Sequence, residues 1–142
     1  MENKISVEVA REQVDLFLDY YDMPLDELLE ELDDKNMKSG VKTSYSRIIK
    51  AIQKGRIEIS TTDEDQLKII QHVGKDNSET LEYKIIDGYA KSSMKNADSE
   101  DTYGKIYSLV GSLTGLGKEA ILKLKGKNLS DAECIGMILL QV

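Results

Sequence analysis

The chain has 142 residues, 40% apolar and 32% charged, with a formal net charge of −7. That length suits one domain with room for a small helical appendage, and that balance excludes both a disordered chain and a membrane protein. One histidine and one cysteine exclude the common zinc sites and an internal disulfide, and the acidity argues against non-specific nucleic-acid binding.

No stretch approaches the ~18 uncharged apolar residues that a bilayer-spanning helix needs. Residues Met1 to Glu12 carry acids and lack an apolar core, so no secretory signal is expected. With Cys134 alone, a reducing, cytoplasmic setting is expected.

The first helix is predicted from about Glu8, with Ala10, Val14, Phe17, Leu18 and Tyr21 on one face and acids opposite. Ile5, Val7 and Val9 alternate ahead of it and allow a short strand. Pro24 suits the first turn of a second helix, where a missing N–H costs nothing. Leu25, Leu28, Leu29 and Leu32 form its inward stripe. Asp33 to Gly40 reads as a loop, and a third helix as Thr43 to Lys54, stopped by Gly55.

The period then changes. Ile57 and Ile59, Leu67 to Val73, and Leu81 to Ile86 are strand candidates, separated by polar turns at Ser60–Gln66 and Gly74–Thr80. An antiparallel hairpin or three-stranded meander results, and so small a sheet needs a helical cover. Helical spacing returns in Ile86, Tyr89, Ala90, Met94 and Ala97. After a polar link at Asp98–Glu100 it returns again in Tyr103, Ile106, Tyr107, Val110 and Leu113. A short helix is predicted over Lys118–Lys125. The last helix is predicted to start at Ser130, which has capping-box spacing to Glu133. It is apolar nearly all round, which makes it a core helix or, in the alternative, half of a homo-oligomer contact. The fold class is therefore α+β and helix-dominated: three N-terminal helices over 1–55, then a small antiparallel sheet and a C-terminal helical cluster over 56–142.

Charge is blocked along the chain. Residues 1–34 carry −10, residues 35–56 carry +7, residues 57–104 carry −6 and residues 105–142 carry +2. Such asymmetry points to intramolecular pairing or to a polar partner surface. Lys42, Arg47, Lys50 and Lys54 could contact phosphates, but the acid-rich start can neutralise them, and aromatic interleaving is limited to Tyr45.

Catalytic signatures are weak. Gly111–Glu119 has glycines and a lysine, yet Ser112 and Glu119 stand where a phosphate loop needs glycine and Ser or Thr. It reads better as a helix–helix turn. His72 lies in a strand without an evident nucleophile, and Cys134 falls in the first turn of the predicted last helix, flanked by core residues. The acid clusters at 33–34, 63–65 and 98–101 lack calcium-loop spacing. No cofactor, metal or catalytic residue is assigned, and no enzyme activity is expected.

The C-terminal part carries L-E-Y-K-I-I, then Y-G-K-I-Y-S-L-V-G-S-L-T-G-L-G, then L-K-G-K-N-L-S-D-A-E-C-I-G-M-I-L-L. This order resembles the tail assembly chaperones of tailed bacteriophages. Leu109, Leu113, Thr114, Gly115 and Leu116 match the end of that family's leucine-rich helix. Leu122, Lys125, Asn128, Leu129, Leu139 and Leu140 approximate its last element. The resemblance implies a non-catalytic protein in the host cytoplasm. It would coat apolar segments of a tail tape-measure protein until tube subunits polymerise. The client face it implies is Tyr103, Tyr107, Val110, Leu113 and Leu116. The alternative is an acidic inhibitor or nucleic-acid mimic that fills a basic groove on a protein with Asp15, Asp19, Asp26, Glu27, Glu30 and Glu31.

Overall fold

The computed structural model describes residues 5–86 and 102–142. Helix α1 spans Val7–Tyr20, and the Ser6 hydroxyl caps it by accepting from the Val9 N–H at 3.3 Å. The short strand expected over Ile5–Val9 is therefore absent, because its alternating residues lie in a capped first turn. Ala10, Val14, Phe17 and Leu18 are buried, as their spacing predicts. Helix α2 spans Leu25–Glu31, with Pro24 at the cap, one position before the expected first turn. Of its leucine stripe, Leu28 is buried while Leu25, Leu29 and Leu32 are half-buried.

Helix α3 runs over Lys35–Gln53, so the loop expected at 33–40 is mostly helix. The reason is local. The Asp34 carboxylate accepts from the Asn36 and Met37 N–H groups at 2.7 and 3.3 Å, which starts the helix two turns before its apolar stripe begins. Gly40 lies within it, facing the Met137 side chain of the last helix, where a Cβ would make an ordinary contact at 3.5 Å.

Strands β1 (Ile57–Thr61), β2 (Leu67–Val73) and β3 (Glu79–Tyr83) form an antiparallel meander in sequence order. The rows Ile59–Ile69–Tyr83 and Ile57–Gln71–Leu81 face the core. Strand β3 begins and ends earlier than its apolar run suggests. Lys84 N–H donates to the Leu113 carbonyl at 3.0 Å and Ile86 N–H to the Tyr21 hydroxyl at 3.2 Å. These bonds draw 84–86 out of the ladder toward the helices. The helix expected between Tyr89 and Ala97, with its polar link, lies outside the described residues.

Helices α4 (Thr102–Thr114), α5 (Lys118–Leu122) and α6 (Gly126–Leu139) complete the chain. Helix α5 is shorter than expected because Lys123 and Leu124 N–H groups bond three residues back, tightening its end. Helix α6 starts one turn before the predicted capping box. Ser130 and Glu133 are thus interior, and Glu133 instead accepts from the Tyr107 hydroxyl at 2.7 Å. Its early start is tied to the sheet. Gln71 donates to the Asn128 carbonyl at 2.8 Å, and Gly74 N–H donates to the Asn128 side chain at 3.0 Å. Gln71, itself buried, also accepts from the Tyr83 hydroxyl at 2.7 Å, so this core amide is satisfied at both ends.

Helix α6 occupies the core. Ala132, Ile135, Ile138 and Leu139 are buried in one hydrophobic cluster that also takes residues from α1, α3, the sheet, α4 and α5. Two glycines permit close approaches, Gly136 of α6 against α4 and Gly111 of α4 against the start of α5. A Cβ on Gly136 would meet the Ile106 Cγ2 at 2.6 Å. A Cβ on Gly111 would meet Gly117 and Lys118 backbone at 2.5 Å. Backbone yields less readily than a side chain, so Gly111→Ala is expected to lower stability by about 1–3 kcal/mol in urea unfolding. Ser112→Ala, beside it but exposed, is expected to change stability by less than about 0.5 kcal/mol.

Candidate functional site

Helical spacing places Lys42, Ser46, Lys50 and Lys54 at four-residue intervals along α3, opposite the buried Ile48 and Ile52. Arg47 stands beside this row. Arg56, just past the helix end, and Lys127, from the first turn of α6, close the side. The result is an open groove of about 610 Å³ whose lining holds six cationic side chains, with the Thr43 and Ser46 hydroxyls between them. The α3 cations share one helix face and are legible in the sequence, whereas Lys127 is 71 positions beyond Arg56 and joins them through the packing of α6 on α3.

Beneath the groove, Arg56 clamps the buried Asp131 with two donors, Nε to Oδ2 at 2.8 Å and Nη2 to Oδ1 at 3.4 Å. Burial pushes the Asp131 carboxyl above its ordinary pKa, and the guanidinium beside it works in the opposite direction, with Arg47 and Lys127 adding smaller pulls. No sequence signal announced this pair, because an aspartate inside an apolar helix is visible but its partner is not.

The acids lie elsewhere. Asp15, Asp19, Asp26, Glu27, Glu30 and Glu31 are all exposed on α1 and α2. Asp15 accepts from the Tyr45 hydroxyl at 2.8 Å. Burial, reinforced by that hydrogen bond, pushes the Tyr45 pKa up to about 12. Neutralisation of the central cations within the molecule is partial: Arg47 and Lys127 feel the buried Asp131 beneath the groove. Among the described residues, no carboxylate lies within ion-pairing distance of Lys42, Arg47, Lys50 or Lys127.

The implied client face is split. Val110 and Leu113 are fully buried in the core, Tyr107 is half-buried, and Tyr103 and Leu116 are 55% and 53% exposed. Tyr103 lies in the first turn of α4 and Leu116 in the turn beyond its other end, with about 16 Å of helix axis between Tyr103 and Thr114 at ~1.5 Å per residue. The correction has a simple cause: the inward stripe of α4 packs on α6, so its middle residues are unavailable. The turn after α4 exposes Leu116, and Leu122 at the end of α5, outside the expected face, is 44% exposed. Gly115 and Gly117, at φ +75° and +84°, make that turn.

The residues considered for catalysis have other partners. His72 Nε2 lies 2.7 Å from Glu58 Oε2 on the outer sheet surface. Cys134 is in the third turn of α6, not the first, and burial raises its thiol pKa despite a hydrogen bond from Ser44. Gly111–Glu119 spans the last turn of α4, the 115–117 connection and the start of α5, a helix–helix turn as read from its residue types. Among the described residues no group of three potential metal ligands assembles, and no helix is long and apolar enough to cross a membrane. No family model, curated protein or solved structure matches the chain.

Proposed function

We propose that the chain is a non-catalytic assembly chaperone that shields apolar helical segments of a partner, of the kind implied by its resemblance to phage tail assembly chaperones. The observation that carries this reading is the α4–α5 turn. It holds Leu116 in water, and Leu122 at the end of α5 is exposed as well, both within the segment that bears the resemblance and close to where Gly111 lets α4 approach the Gly117 and Lys118 backbone. Exposed apolar side chains gain by being covered, and the net charge of −7 keeps the complex in solution.

Capture from a lysate of the cells that make the protein tests this. Tagged wild-type protein, washed at about 0.5 M salt where exposed ion pairs are screened, is expected to retain a long helical tail protein. The Leu116→Ser/Leu122→Ser variant is expected to lose it. Equal retention by both proteins would contradict the proposal.

A second reading has its own observation. Six exposed carboxylates on α1 and α2 fit an inhibitor that imitates phosphate spacing. Recovery of a basic nuclease or regulator that is released by the same salt wash would favour it.

A further inference from the structure

Among the described residues, no ion pair joins the acids of α1 and α2 to Lys42, Arg47 or Lys50 of α3. Asp15 accepts from the Tyr45 hydroxyl of α3, while among the described residues Lys42 and Lys50 line the groove with no carboxylate at ion-pairing distance, and Arg47 between them feels the buried Asp131 beneath. From these positions we infer that copies of the chain associate head to tail, the acidic α1–α2 face of one copy seated against the α3–α6 cationic groove of the next.

The spacing matches. Lys42 and Lys50 are eight residues apart on one helix, with Arg47 between and beside them. Asp15 and Asp19, Asp26 and Glu30, and Glu27 and Glu31 are each four apart. Four residues advance a helix by about 6 Å, so an acidic helix laid along α3 meets cations at one-turn and two-turn intervals. The groove is open and runs about 18 Å from Lys42 to Lys54, which suits a helix of two to four turns. It holds two hydroxyls but no aromatic ring for base stacking, and the chain has a pI near 4.8. Both features favour carboxylates over a nucleic-acid strand.

Because the two surfaces differ, the contact is heterologous, and it propagates into chains or a ring instead of stopping at a two-fold dimer. At about 0.1 M salt the screening length is about 10 Å. Facing rows then attract while the net charge of distant parts is largely screened. At about 0.5 M the attraction is lost.

Sedimentation velocity of the full chain reads this directly. At about 0.1 M salt the wild-type protein is expected to sediment faster as its concentration rises, and at about 0.5 M as a 15.9 kDa monomer. Arg47→Glu/Lys50→Glu and Asp15→Lys/Asp19→Lys/Asp26→Lys are each expected to be monomeric at both salts, with circular dichroism confirming that they remain folded. Mixing the two variants is expected to restore association, since the reversed face of one fits the reversed groove of the other. A monomeric wild-type protein at low salt, oligomers that persist at high salt, or a mixture that stays monomeric would overturn the inference. So would a groove that binds a short DNA duplex while the chain itself stays monomeric. None of these outcomes depends on the capture experiment at Leu116 and Leu122, because those residues lie outside both charged surfaces.

Discussion

Replacing Arg56 by alanine is expected to destabilise the protein by about 3–5 kcal/mol, the usual loss when a buried ion pair is broken from one side. Asp131 is 1% exposed and Arg56 supplies both of its charge-assisted hydrogen bonds. Without the guanidinium, a carboxylate stays inside the core between α6 and the end of α3, with only Arg47 and Lys127 nearby to offset it. The loss carries a pH signature. Burial already raises the folded-state pKa of Asp131 above its unfolded value, so its contribution to stability is fully present below the unfolded pKa and is lost as pH rises through the folded one. Removing Arg56 takes away the main opposing pull and raises that folded pKa further. The deficit of Arg56→Ala is therefore expected to be largest near neutral pH and to shrink on acidification, as the buried carboxyl takes up a proton. Urea unfolding of both proteins across pH checks this. A deficit that is constant with pH would show that packing of the arginine stem, not the charge, carries the effect. The double change Arg56→Met/Asp131→Leu is expected to recover most of the loss, since apolar groups of similar volume need no partner.

Phe17→Ala is expected to cost about 3–5 kcal/mol, the range for emptying an aromatic site in a close-packed core. Phe17 is the only phenylalanine and is fully buried. Its ring meets Tyr21 edge-on at 6.0 Å between centroids, and the Tyr21 hydroxyl accepts from Ile86 N–H at the exit from the sheet. The cavity thus opens where the N-terminal helices join the sheet. A single buried cluster runs from Ala10 to Leu139, so the variant is expected to unfold in one transition at lower denaturant, seen alike by far-ultraviolet dichroism and tyrosine fluorescence. Two separated transitions would mean that residues before Gly55 fold apart from the remainder.

Period was the strongest guide to this fold. The i, i+4, i+7 spacing of Ala10, Val14 and Phe17 and the alternation through Leu67–Val73 located α1 and β2, because each pattern comes from one buried face. Where polar side chains decided the outcome, the text of the sequence was ambiguous. Asp34 could be a solvated turn or a cap, and only its bonds to Asn36 and Met37 distinguish the two. Ser130 and Glu133 have capping spacing, yet Gln71 holds Asn128 and the helix begins earlier. The basic row of α3 was legible, since it lies on one helix. Its extension by Lys127 and its floor of Arg56 and Asp131 were not, because tertiary packing alone brings them together. For the same reason α4 misled as a client face: a helical stripe of Val110 and Leu113 is equally a core stripe, and α6 covers it.

Hydrogen–deuterium exchange of the protein alone and bound to its salt-resistant partner is the most direct test of the chaperone reading. The reading requires new protection across Thr114–Lys123, the turn and helix α5 that carry Leu116 and Leu122, with little change over Asp15–Glu31. Protection confined to Asp15–Glu31, or no change around Leu116, would contradict it.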